Sequence, residues 1–104
     1  MISIEKMSYF FRYDKVKYKI PVKFPEIAEE MEQLKKAGQD ARLEFTKLTE
    51  AFQKNFKSFR MDRVSQWMNQ AQVARPAFWR YFIEEGQDEG NPSFALRLFN
   101  QENK

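Results

Sequence analysis

Across residues 15–24 apolar and polar positions alternate. Val16, Tyr18, Ile20, Val22 and Phe24 fall on one side, and Lys15, Lys17, Lys19, Pro21 and Lys23 on the other. A period of two is that of a half-buried strand. Upstream, Met7, Tyr9, Phe11 and Tyr13 also share a side, and a two-residue loop at Asp14 and Lys15 would pair Phe11 with Tyr18 and Tyr9 with Ile20. The pattern predicts a β-hairpin or ribbon over residues 1–24. Pro21 has no N–H to donate and belongs at an edge or a bulge.

The period then changes. Pro25 suits a first helical position, Ile27, Met31 and Leu34 form an apolar stripe, and Gly38 is a natural stop. A second helix is predicted from about Asp40 to Lys57, with Phe45, Leu48, Phe52 and Phe56 or Phe59 as its stripe. The stripe keeps its phase across Gly38, so residues 25–57 fit either two helices or one bent one. Val64, Trp67, Met68 and Ala71 predict a third helix over 61–69. After a break near Val73, Pro76 opens a fourth over 76–85, which Gly86 ends. Residues 87–92 have loop composition. In the tail, Phe94, Leu96 and Leu98 alternate like a short strand, although Asn91 and Pro92 resemble a helix start. The expected class is α+β, mostly α. A single domain of 104 residues would comprise a ribbon (1–24), a helical segment (25–57), a helix-turn-helix (59–86) and a tail (87–104).

Composition narrows the chemistry. The chain has no cysteine and no histidine, which removes disulfides, thiolates, imidazole bases and the commonest zinc ligands. Its three glycines are isolated, with no phosphate-cradling loop, and the adjacent Glu26, Glu29, Glu30 and Glu32 read as a solvated helix start. A non-enzymatic protein without metal or cofactor is expected. No window is apolar enough for a membrane span and no signal segment is evident, so a soluble cytoplasmic protein is the expectation. The net charge of +3 is unevenly spread: residues 1–24 carry six basic and two acidic side chains, and residues 54–82 carry six and one. Acidic residues outnumber basic ones in the blocks between and after them. Two basic surfaces of this kind suit a polyanion.

Residues 59–82 resemble the helix-turn-helix of the tetracycline-repressor family through Trp67, Met68, Ala71, Gln72, Val73, Phe78, Trp79, Tyr81 and Phe82. The resemblance implies a recognition helix over 76–85 with Arg75, Ala77 and Arg80 facing base edges and Trp79 on phosphate. Lys54, Lys57, Arg60 and Arg63 would hold the DNA backbone beside it. Gln72 stands where that family has its turn glycine, which demands a non-glycine residue in an uncommon backbone region or a different turn. Residues 15–56 resemble, less specifically, a ribbon-helix-helix protein. That likeness implies a homodimer whose paired strands bring Lys17, Lys19 and Lys23 to DNA, and in the hairpin version Arg12 lies opposite Lys17 on the same basic face. The expected function is sequence-specific binding of double-stranded DNA, in transcription regulation or as a replication or transfer factor of a mobile genetic element. The competing expectation is a phage- or plasmid-type protein that docks on a larger, nucleic-acid-processing enzyme.

Overall fold

The computed structural model describes residues 2–84 and 94–99. It contains two α-helices and one three-stranded antiparallel sheet. The N-terminal hairpin and the four helices with a helix-turn-helix are not what forms. The expected loop over 87–92 and the stop at Gly86 lie outside the described residues.

Helix α1 spans Ile4–Phe11. Ser3 caps it, its hydroxyl accepting from the Lys6 N–H at 3.3 Å, and Glu5 complements the positive helix start. Met7, Phe10 and Phe11, at i, i+3 and i+4, are buried. This triad fits a helix, whereas the alternating set read as a strand includes Tyr9, which the structure leaves exposed. The missed signal was a serine cap just before an apolar triad. A turn over 12–15 follows, with Lys15 at φ 72°.

The alternating stretch after that turn is extended, but its partner is remote. Lys17 faces Val73 in an antiparallel bridge, the Tyr18 N–H donates to the Gln72 carbonyl, and the Ala74 N–H donates to the Val16 carbonyl. The short ribbon thus pairs within the chain, with residues 72–74. The expected homodimer loses the strand that was to build it. Residues 20–23 close a turn through a Lys23 N–H to Ile20 carbonyl bond.

A short 3₁₀ turn at Pro25–Ile27 leads into helix α2, Ala28–Gln53. It is one helix, and Gly38 lies inside it rather than at its end. A β-carbon at Gly38 would stand 2.5 Å from Cδ2 of Trp67, so the glycine is where the indole lies on the helix backbone. Met31, Leu34, Ala41 and Phe45 are buried along the same side.

Strands β1 (Phe59–Met61), β2 (Ala77–Glu84) and β3 (Phe94–Phe99) lie in the order β1-β2-β3. β1 ends at Met61, where the expected third helix was to begin, none of residues 62–69 is helical, and β2 replaces the expected recognition helix. Phe78 and Phe82 explain the error, because a spacing of four returns to the same side in both a helix and a strand. The tail forms the strand that its alternation predicts. Register sets Phe94 opposite Phe82, Leu96 opposite Arg80 and Leu98 opposite Phe78. That side meets α2: Phe78 stacks on Phe45 at 5.8 Å between centroids, and Phe52 meets Phe82 edge-on at 5.7 Å. Phe94 stacks on Phe82 at 4.8 Å. A core rich in phenylalanine follows from this packing.

Candidate nucleic-acid interface

Side chains alternate along a strand, so the inward Phe78, Arg80 and Phe82 place Trp79 and Tyr81 on the opposite, outer side. Across β2 and β3, Arg97 stands opposite Trp79, Ala95 opposite Tyr81 and Phe99 opposite Ala77. Ile83 is 1% exposed, so the open part of this face is the end around Ala77, Trp79 and Tyr81.

Trp79 is held from the α2 side of the molecule. Its N–H donates to the Ser65 hydroxyl at 3.1 Å, and its carbonyl accepts from the Ser65 N–H at 3.0 Å. Ser65 in turn is tied to α2, because the Arg42 guanidinium donates to the Val64 and Ser65 carbonyls at 2.8 and 3.1 Å. The backbone beneath the indole is therefore fixed by a chain of hydrogen bonds that starts on a helix.

Two arginines address the ring. The guanidinium carbon of Arg75 lies 4.9 Å from the Trp79 ring centroid, and that of Arg97 lies 6.0 Å away. A guanidinium stacked on an aromatic face keeps its in-plane N–H donors available for a phosphate or a base edge. No aspartate or glutamate occupies the outward positions of 75–81 or of β3. The cluster offers a ring and two permanent positive charges to one anionic, planar ligand.

The expected site residues divide accordingly. Arg75, Trp79 and the half-buried Ala77 share the outer face. Arg80 does not: its Nη1 donates to Thr49 Oγ1 at 2.9 Å and its Nε to the Asp62 carbonyl at 2.6 Å, which commits the side chain to packing between β2 and α2. Burial lowers its pKa from the ordinary arginine value, with Glu50 opposing that trend. Base reading by Arg80 from a helix is thus corrected on two counts, conformation and orientation.

Lys54 caps the far end of α2, with exposed Lys57 shortly after it. Both adjoin Phe56, whose ring meets Phe59 and Phe94 at the Glu84 end of the sheet. Trp79 is five residues along β2 from Glu84, roughly 17 Å of strand. Arg60 is opposite Ile83 in register, and Arg63 is exposed, its N–H donating to the Asp62 carboxylate at 2.8 Å. In the second basic group, Arg12 ends α1 over the Tyr9 ring, Lys17 faces Val73, and the Lys19 ammonium lies over Phe24 at 5.3 Å. Lys23 is exposed in the adjoining turn. Arg97 and Phe99 went unnoticed in the sequence. Arg97 had a signal, as the polar position between Leu96 and Leu98, but nothing local assigned its partner strand.

An open groove of about 810 Å³ lies between α1 and α2, where Lys36 and Asp40 pair at 2.8 Å. Among the described residues no helix is long and apolar enough to cross a membrane. No protein-family model, curated protein or solved structure matches the chain.

Proposed function

We propose that the chain is a non-enzymatic nucleic-acid-binding protein, an accessory or regulatory factor, whose contact surface is the outer sheet face around Trp79. The observation that carries the reading is the approach of Arg75 and Arg97 to one half-buried indole, with no carboxylate at the described outward positions of 75–81 and β3. Phosphates take the guanidinium donors while a base stacks on a ring. The face replaces the recognition helix as the reading element.

Fluorescence anisotropy with labelled DNA and RNA oligonucleotides at low salt tests this. Binding is expected, with a steep loss as salt rises. Trp79→Ala combined with Arg97→Ala should weaken it by about tenfold or more, since stacking alone contributes about 1–3 kcal/mol per base. Unchanged affinity in a variant with native thermal stability would refute the assignment.

A second reading draws on a different surface. Val22 is 89% exposed at the tip of the 20–23 turn, with Ile20 and Phe24 also exposed beside Lys19 and Lys23. A protruding apolar tip of this kind suits docking on a larger protein. Loss of a nuclease-resistant protein complex in Val22→Ser, with oligonucleotide binding absent in wild type, would favour it.

A further inference from the structure

We infer that the ligand of this face is a single strand, and that its backbone runs off the sheet across Val73 to Lys15 and Lys17. The inference rests on the nucleic-acid reading above and specifies its substrate and path.

The path follows from strand parity. Val16 and Tyr18 pack on the core and Ala74 is 2% exposed, so the intervening Lys17 and its bridge partner Val73 point the other way. Arg75 is the next residue of that outward row, and its guanidinium reaches the Trp79 ring. Regular pairing ends at Lys15, an exposed turn residue with φ 72°. Its N–H donates to the Ala74 carbonyl at 3.2 Å, which places it beside the row. The two basic segments, remote in sequence, are thereby joined into one row of cations ending on an aromatic ring. From Val73 to Trp79 the row is at most roughly 20 Å long, a fitting length for the short end of single-strand sites.

A single strand is favoured over a duplex by what the face presents. Trp79, Tyr81 and the 49%-exposed Phe99 offer rings, and ring stacking requires bases that are not already stacked and paired. A duplex reader would instead place a basic helix or ribbon in the major groove. Neither described helix suits that role. On the exposed positions of α2, Glu29, Glu30, Glu32 and Glu50 outnumber Lys35, Lys36 and Lys47, and α1 exposes one charge of each sign, Glu5 and Lys6.

The test is anisotropy with labelled oligothymidylates of 4, 8, 12 and 16 nucleotides and with a 16-base-pair duplex, across a salt series. Wild type should bind the 16-nucleotide strand at least tenfold tighter than the duplex. Lys15→Gln with Lys17→Gln removes two surface charges without touching the backbone pairing. It should lower the magnitude of the salt slope for the 16-nucleotide strand by about 1.4, at about 0.7 per phosphate. Binding of a labelled thymidine dinucleotide, too short to reach from Trp79 to the two lysines, should stay within twofold. Equal or tighter duplex binding overturns the single-strand assignment, and an unchanged slope overturns the path. Equally effective competition by polyglutamate would show charge alone at work and overturn the stacking. If no oligonucleotide binds at low salt, the nucleic-acid reading itself falls. Lys17→Glu, with thermal melting alongside, provides a second variant.

Discussion

A methyl group on Gly38 would meet three atoms of the Trp67 indole, at 2.5, 2.6 and 2.8 Å. Gly38→Ala gains about 1 kcal/mol of helix propensity, but the overpacking costs about 1–3 kcal/mol and must displace a ring wedged edge-on against Phe10 and Tyr18. Urea unfolding should show net destabilisation, whereas a variant as stable as wild type would mean that Trp67 moves aside freely. Arg80 and Trp79 are sequence neighbours with opposite consequences. Arg80→Met removes donors to Thr49 and to the Asp62 carbonyl and should cost about 1.5–3 kcal/mol of stability, with oligonucleotide affinity unchanged in the folded fraction. Trp79→Ala should lose affinity first. A residue chosen from sequence as a base reader is thereby distinguished, by measurement, from one that stays on the face.

Pairs of elements are fixed by a few polar contacts that pattern reading does not see. The start of α1 is tied to α2 because the Ser3 N–H donates to Glu44 at 2.7 Å, while the Lys47 ammonium stands 3.1 Å from the other carboxylate oxygen. The Ser3 N–H, then Lys47, hold the Glu44 carboxyl below its ordinary value of 4.5, with burial opposing them. A depressed folded value means that this contribution is complete above the unfolded pKa and is lost as pH falls through the folded one. Glu44→Gln should therefore lower stability at neutral pH and flatten the acid side of the stability profile below about pH 4.5. The turn before β2 gives a second case. Gln72 has φ 64°, its N–H donates to the Asn69 carbonyl, and the Asn69 side chain accepts from the Ala71 and Val73 N–H groups. The uncommon backbone region expected at Gln72 is real, but the turn joins extended segments instead of helices. Gln72→Gly relieves a left-handed residue, at the expense of a freer unfolded chain, and should raise stability by up to about 1 kcal/mol. At this scale the long stripe of α2 was legible, and so was the alternation of β3. β2 was not, because Phe78 and Phe82 satisfy both periods, and only their partners Phe45 and Phe94 decide between them.

Over the whole molecule, one member of each basic block, Lys17 and Arg75, comes to the same side through the bridge at Val73, while Lys54 and Lys57 stay at the far end of α2. Arg75 and Trp79 were legible as a basic and aromatic pair, and Lys17 as part of a lysine series. Their union through the bridge to Val73, and the approach of Arg97, depend on contacts between distant parts of the chain that no local pattern encodes. The two tryptophans then report on different events. Trp67 is 6% exposed among aromatic rings, whereas Trp79 is half-buried beneath cations on the outer face. In Trp79→Phe the remaining indole emission should shift to the red only when the chain unfolds. In Trp67→Phe, provided the fold survives, emission should be quenched on titration with oligonucleotide. Given the proposed binding face, one fluorophore would gauge folding and the other occupancy, so both could be followed without an added label.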